Sequence, residues 1–167
     1  GGRMMAEHLL ALGHRNMAVI GAPAHSPPVL ARVQGVVDRL AESGLVAQVH
    51  LGAVHDFDAC KDLAQDVLAN RPTAVIGTTD IAAIGAIHAA IGMGLAVPGD
   101  VSVIGFDDLP AARYVLPALT TVAQPLREIG AQAVAQLCAL MRGEPLLPVA
   151  APELRLILRD TTAAPRG

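Results

Sequence analysis

Aromatic side chains are almost missing from this 167-residue chain, which has no tryptophan, one tyrosine (Tyr114) and two phenylalanines (Phe57 and Phe106). Its core must therefore be aliphatic, and a pocket here has little with which to stack a flat ligand. Basic residues are also scarce, 12 against 15 acidic ones, for a formal charge of −3. No basic stripe appears, which argues against this segment itself gripping nucleic acid or an anionic membrane. Cysteine is limited to Cys60 and Cys138, both on expected helices and far apart. They read as two buried free thiols, with a pairing left open by the sequence alone. No long apolar run occurs: the most apolar window, Ile81–Val97, is broken by Gly85, His88, Gly92 and Gly94 and is too short to span a bilayer. The first residues show no basic stretch followed by an apolar one, so no signal peptide is expected and a cytoplasmic location is.

Catalytic templates are missing as well. There is no G-x-S-x-G elbow, no phosphate-binding loop and no G-x-G-x-x-G after a strand. The three serines (Ser26, Ser43, Ser102) find no triad partners in a defensible order. Adjacent carboxylates such as Asp107-Asp108 rarely flank a sugar from opposite faces, as a glycosidase requires. The six histidines show no metal-ligand spacing. Neither an enzyme, nor a metal, nor a cofactor is expected.

What is present is a regular alternation. Apolar residues make up 53% and charged ones 16%, which suits a single globular domain. Short β-branched runs begin near residues 17, 47, 73 and 101, each followed by an amphipathic stretch. That is the pace of successive strand–helix units, so the expected fold class is α/β, a parallel sheet flanked by helices. The first helix carries Met4, Met5, His8, Leu9 and Leu12 on one face, and the second carries Val29, Val33, Val36, Val37 and Leu40. Asp56 reads as the N-cap of a third, striped by Phe57, Cys60, Leu63, Ala64, Val67 and Leu68.

The region 72–108 organises the rest. Thr73–Gly77 reads as a buried strand and Asp80 as the N-cap of a helix whose core stripe is Ile81, Ile84, Ile87, His88 and Ile91. Val101–Phe106 is the next strand, leaving Thr78, Thr79, Asp80, Asp107 and Asp108 at the carboxyl edge of the sheet, where open parallel sheets bind ligands. His8 and His88 are expected in the core or an interface, and Asp108 in solvent. Arg32 lies about 100° off the valine stripe of its helix and, on spacing alone, reads as a surface residue. Beyond Asp108 come a short turn and an extended piece, Leu119–Ala123. A helix opened by Pro125 follows, with Ile129, Ala133, Leu137, Leu140 and Met141 on one face, then a last strand, Glu153–Arg159. The tail from Thr161 reads as frayed.

The segments GHRNMAVIGAP, ARVQGV, PTAVIGTTDIAAIGA, GLAVPGDVSVIGFDDLPAARYVLPALTTVAQP and ELRLILRDTT together resemble the lactose-repressor/galactose-repressor family. These are bacterial transcription regulators whose core has a periplasmic-binding-protein-like fold. The resemblance implies that residues 1–124 and 150–167 form the C-terminal effector-binding lobe. It also implies that 125–149 crosses to an N-terminal lobe absent from this sequence, as are the DNA-binding segments. DNA would then be a partner only through that missing region. It further implies effector contacts at Arg32, Thr79, Asp80 and Asp107, and ligand-facing positions at Val54, His25 and Ser26. Thr79 departs from the usual asparagine, and Val54 stands where an aromatic is frequent. Such a set suits a neutral polyol, a sugar or similar small polar effector. Signalling would be by lobe closure, in a homodimer formed near 82–91 and 109–116, with exchange of the 125–143 helix between copies as one arrangement. Because half the cleft is absent, weak effector binding by the isolated chain is expected. A periplasmic sugar-binding protein shares the fold and would need an export signal. A small α/β enzyme is the third reading, and turnover by this chain alone would favour it.

Overall fold

The computed structural model describes residues 1–146, 148, 151 and 153–166. Six strands make one sheet in the order β2-β1-β3-β4-β5-β6. They are β1 (Met17–Gly21), β2 (Gln48–Leu51), β3 (Ala74–Gly77), β4 (Ser102–Asp107), β5 (Thr120–Ala123) and β6 (Arg155–Ile157). The first five run parallel, while β6 pairs antiparallel with β5, Val122 opposite Leu156. The sheet is thus mixed rather than purely parallel: the chain returns after its longest helix and closes the open edge from the other direction.

Alternation within each strand feeds two cores. Met17 and Val19 of β1, with Ala74 and Ile76 of β3, face α1 (Gly2–Ala11) and α2 (Pro27–Ala41). Ala18, Ile20, Val75 and Val103 face α3 (Phe57–Leu68) and α4 (Asp80–Gly92). Helix α2 starts two prolines earlier than its apolar stripe suggests, because Pro27 and Pro28 fit the first turn, where no N–H is needed. Asp56 caps α3 as expected, accepting from the Ala59 N–H at 2.8 Å.

Two expectations are corrected here. First, α4 buries an alanine face, including Ala82, Ala83, Ala86, Ala89 and Ala90, together with Gly85 and Ile87. Ile91 is 50% exposed and His88 is also exposed, its ring edge-on to Phe57 at 5.1 Å. The cause is close approach: a Cβ at Gly85 would lie 2.9 Å from the Lys61 nitrogen of α3, so small residues alone fit between these helices. Second, the tail is not frayed: Thr161 is fully buried against β4 and β5. No residue of α6 (Leu126–Met141) is buried. Cys60 is buried and Cys138 half-buried, both as free thiols. No helix among the described residues is long and apolar enough to cross a membrane.

Candidate functional site

The carboxyl ends of β1, β3 and β4 form a rim on which polar side chains from several elements meet. β4 ends at Asp107, which with the next residue, Asp108, has positive φ (126° and 55°), a conformation that costs free energy and turns the chain sharply. From the first turns of α2, Arg32 crosses to this turn. Its guanidinium lies 3.9 Å above the Phe106 ring, donates from Nη1 to the Thr78 carbonyl at 2.8 Å, and places Nη2 3.7 Å from Asp107 Oδ1. Arg32 is therefore no ordinary surface residue: a cation on a ring face, partly desolvated, is held where its remaining N–H groups can meet a ligand.

Asp107 Oδ1 also accepts from Gln124 Nε2 at 2.6 Å. Burial pushes its carboxyl above the usual carboxylate range, opposed by Arg32, by the Gln124 bond and by the field of His55. Burial likewise lowers the Arg32 guanidinium, with Asp107 pulling it back up. At 3.7 Å the Arg32–Asp107 pair is too long for a hydrogen bond, so neither group is saturated by the other.

Asp80 plays a different part from the one its position suggests. The N-cap of α4 is Thr79, whose Oγ1 accepts from Ala82 N–H at 3.3 Å; Asp80 is the first helical residue. Its carboxylate is fully buried and points into the protein, accepting from Leu109 N–H at 2.7 Å and from the Thr121 hydroxyl. Gly105 makes room for it, since a Cβ there would stand 2.5 Å from Asp80 Oδ1. Burial pushes this carboxyl up, its two hydrogen bonds lower it, and Asp107 and Asp108 raise it further. Asp80 thus braces the β4–α5 turn (α5, Ala111–Tyr114) from beneath, and its side chain is not at the rim's surface.

Asp108 is not solvated either. It is half-buried, paired with Arg159 and, at 3.4 Å, with Arg113. Val54 and His25 are exposed on the loops after β2 and β1. Ser26 is half-buried at the N-cap of α2, without a side-chain capping bond. None of these three bonds to the Arg32–Asp107 group among the described residues.

Three rim residues escaped sequence reasoning. His55, from the β2–α3 loop, brings Nε2 within 2.9 Å of Thr79 Oγ1. Gln124 reaches Asp107 from the end of β5, and Phe106 supplies the platform under Arg32. Phe106 carried a signal, being one of only three aromatics; His55 and Gln124 carried none. Among the described residues no group of three His, Cys, Asp or Glu could hold a metal ion. Chemically the rim offers one partly free cation, one partly free carboxylate, an amide, a hydroxyl and an imidazole. It is a set that can read hydroxyls and carbonyls.

Residues 6–162 match the family model described as a periplasmic binding protein-like domain. The HTH-type transcriptional repressor PurR of Erwinia tasmaniensis is 41% identical over 134 residues, covering 78% of this chain and 39% of the relative. A LacI family transcriptional regulator from Mycobacterium smegmatis has a similar solved structure, with a TM-score of 0.91 and 34% identity. The match covers 99% of this chain and 64% of that one. A dimeric Lac repressor with an 11-residue C-terminal deletion superposes with a TM-score of 0.86 at 31% identity, covering 99% and 62%. The chain thus spans about two fifths of the curated relative it matches.

Proposed function

The chain belongs to the periplasmic binding protein-like family in the form carried by LacI-type regulators, and from that premise we propose that it is the effector-reading C-terminal lobe of a bacterial transcription regulator. The observation that carries the reading is the rim itself. Arg32 and Asp107 converge from α2 and β4 without saturating each other, on a platform at the carboxyl edge of a mostly parallel sheet. The effector is a sugar or a similar small polar metabolite. Its hydroxyls are read by Arg32, Asp107 and Thr79, with Val54, His25 and Ser26 on the flanking loops; Asp80 acts from below by holding the turn. Leaving one such hydroxyl unpaired would cost ~1–3 kcal/mol, enough to choose among related sugars.

Residues 1–124 and 150–167 form this lobe, and 125–149 crosses to a second lobe. The unburied, apolar side of α6, where Leu137 and Leu140 are exposed, supports that assignment. A ligand held between two lobes would favour their closed arrangement, and a dimer would pass that change to DNA through its N-terminal region. The copies would meet over the outer side of α4 and over 109–116, where Tyr114 and Leu116 are more than three-quarters exposed. The protein would work in the cytoplasm, without cofactor and without turnover.

The test is a thermal-melting screen of the full-length regulator against a panel of sugars and nucleobases. At least one panel member raises the melting temperature of the native protein and fails to raise that of Asp107→Asn. A ligand that stabilises both equally places its site elsewhere.

A further inference from the structure

At the end of the sheet away from the rim, beside the starts of β3 and β4, lies a cavity of about 210 Å³ that the effector reading does not use. Leu68 at the end of α3, Pro72, Leu95 and Val101 give it an aliphatic lining. Two arginines share the space, Arg71 from the α3–β3 turn and Arg166 from the C-terminal tail. Arg166 is taken: its Nη1 pairs with Asp100 Oδ1 at 2.7 Å, while Asp100 Oδ2 accepts from Ala96 N–H at 2.7 Å. Gly99 leaves room for this pair, since a Cβ there would stand 3.0 Å from Arg166 Nη2. Thr73, the remaining polar neighbour, is taken as well. Its hydroxyl donates to the Asn16 carbonyl at 2.9 Å and lies 3.0 Å from His14 Nδ1. Arg71 differs. Its backbone is pinned, the N–H donating to the Leu68 carbonyl and the carbonyl accepting from Asn16 Nδ2, but its guanidinium makes no hydrogen bond or ion pair among the described residues. Its φ is 50°, a left-handed conformation that costs free energy in any residue with a Cβ. The chain thus holds a cation beside an aliphatic cavity from which the fold gains no side-chain bond.

We propose that this cavity is a second ligand site, separate from the rim, for a small aliphatic carboxylate whose charged end meets Arg71 and whose apolar body lies against Leu68, Leu95 and Val101. Charge sets the sign of the occupant. Asp100 and Arg166 neutralise each other, which leaves Arg71 as the surplus cation of the lining. A guanidinium meets a carboxylate through parallel N–H donors, a fit that a point charge lacks. Volume sets the size: pockets for drug-sized ligands run to ~300–1,000 Å³, so this one suits a shorter molecule. The lining sets the body. No aromatic side chain borders the cavity to stack a flat ring, and a polyol would leave hydroxyls unpaired against leucine and valine. The chemistry is therefore the reverse of the rim's, with one charge and an apolar remainder in place of many hydroxyl contacts. An occupant would also tie the C-terminal tail to the α3–β3 turn, so its binding adds to the stability of the folded chain.

Methyl NMR on the full-length protein, titrated with hexanoate at physiological salt, tests the proposal without any effector. Millimolar hexanoate shifts the Leu68, Leu95 and Val101 methyl signals and leaves Val54, on a loop at the rim, unmoved. Acetate keeps the charge but lacks the apolar body, and binds at least about tenfold more weakly. Hexylammonium keeps the body but reverses the charge, and moves none of the three. Arg71→Gln weakens hexanoate about tenfold, and Arg71→Lys, which restores the charge, recovers part of the loss. Both variants melt with the native protein, because the Arg71 side chain is exposed and bonds to nothing in the fold. Acetate that binds as tightly as hexanoate marks an adventitious ion only and overturns the proposal. So do an equal response to hexylammonium, hexanoate shifts confined to the rim or absent, and an unchanged hexanoate affinity in Arg71→Gln.

Discussion

The two edges of the sheet solve the same problem in opposite ways. At the amino edge His14 bonds with Thr73 and Ser102, and Thr161 with the backbone of Val103 and Thr120; all four are satisfied and three are almost fully buried. At the carboxyl edge Arg32 and Asp107 are partly exposed and 3.7 Å apart, each with bonding capacity to spare. A saturated polar cluster holds a fold together, whereas a pre-positioned, unsaturated one waits for a partner. The difference also separates the two aspartates that follow β3 and β4. Asp80 is locked to Leu109 and Thr121, while Asp107 is held by Gln124 and the arginine's field.

Substitutions should divide along this line. Asp80→Ala strips buried partners from Leu109 N–H and the Thr121 hydroxyl and should cost about 2–4 kcal/mol in denaturant unfolding. Thr161→Val, which removes one donor and one acceptor from buried backbone groups, should cost about 1–3 kcal/mol in the same assay. Arg32→Ala should cost less than about 1 kcal/mol, because it removes a cation–ring contact and one hydrogen bond from a water-accessible group. An Arg32 effect as large as that of Asp80 would erase the contrast between the edges.

Acid sharpens it further. His8 and His14 titrate below the ordinary value of 6.5 in the folded chain. The unfolded chain therefore binds more protons just below that value, and folded stability is full above it and declines as pH falls through the window beneath. Asp80 and Asp107, raised by burial, act with the opposite sign. They hold protons more tightly when folded, so acidification into the range above 3.8 offsets part of the histidine loss. Melting temperature followed from neutral pH downwards should thus fall first. With His14→Gln the early fall should shrink.

Much of this architecture is legible in the residues. The short apolar run that begins near Met17 marks β1, and the valines of α2 and the cap at Asp56 mark their helices. Helix α4 misleads because it is apolar all round. Isoleucines draw the eye, yet the close α3–α4 contact selects alanine and glycine, whose pattern is silent. The tail misleads for another reason: Thr161, Thr162 and Ala163 are held by bonds to distant elements, which leave no local period. At the rim, the strand ends placed Thr79 and Asp107 on the ligand-binding edge, whereas Arg32 came from family likeness, spacing alone having placed it in solvent. His55 and Gln124 needed coordinates, because a loop residue and the end of a short strand become neighbours of Thr79 and Asp107 only once the sheet is assembled.

The central claim is that Arg32 and Asp107 await a ligand rather than support the fold. Isothermal titration of the full-length regulator with the best stabilising sugar of the panel, alongside Arg32→Ala and Asp107→Asn, tests it most directly. Both variants should melt within a few degrees of the native protein and lose at least about tenfold in affinity, equivalent to ~1.4 kcal/mol. Unchanged affinity in both variants would contradict the account.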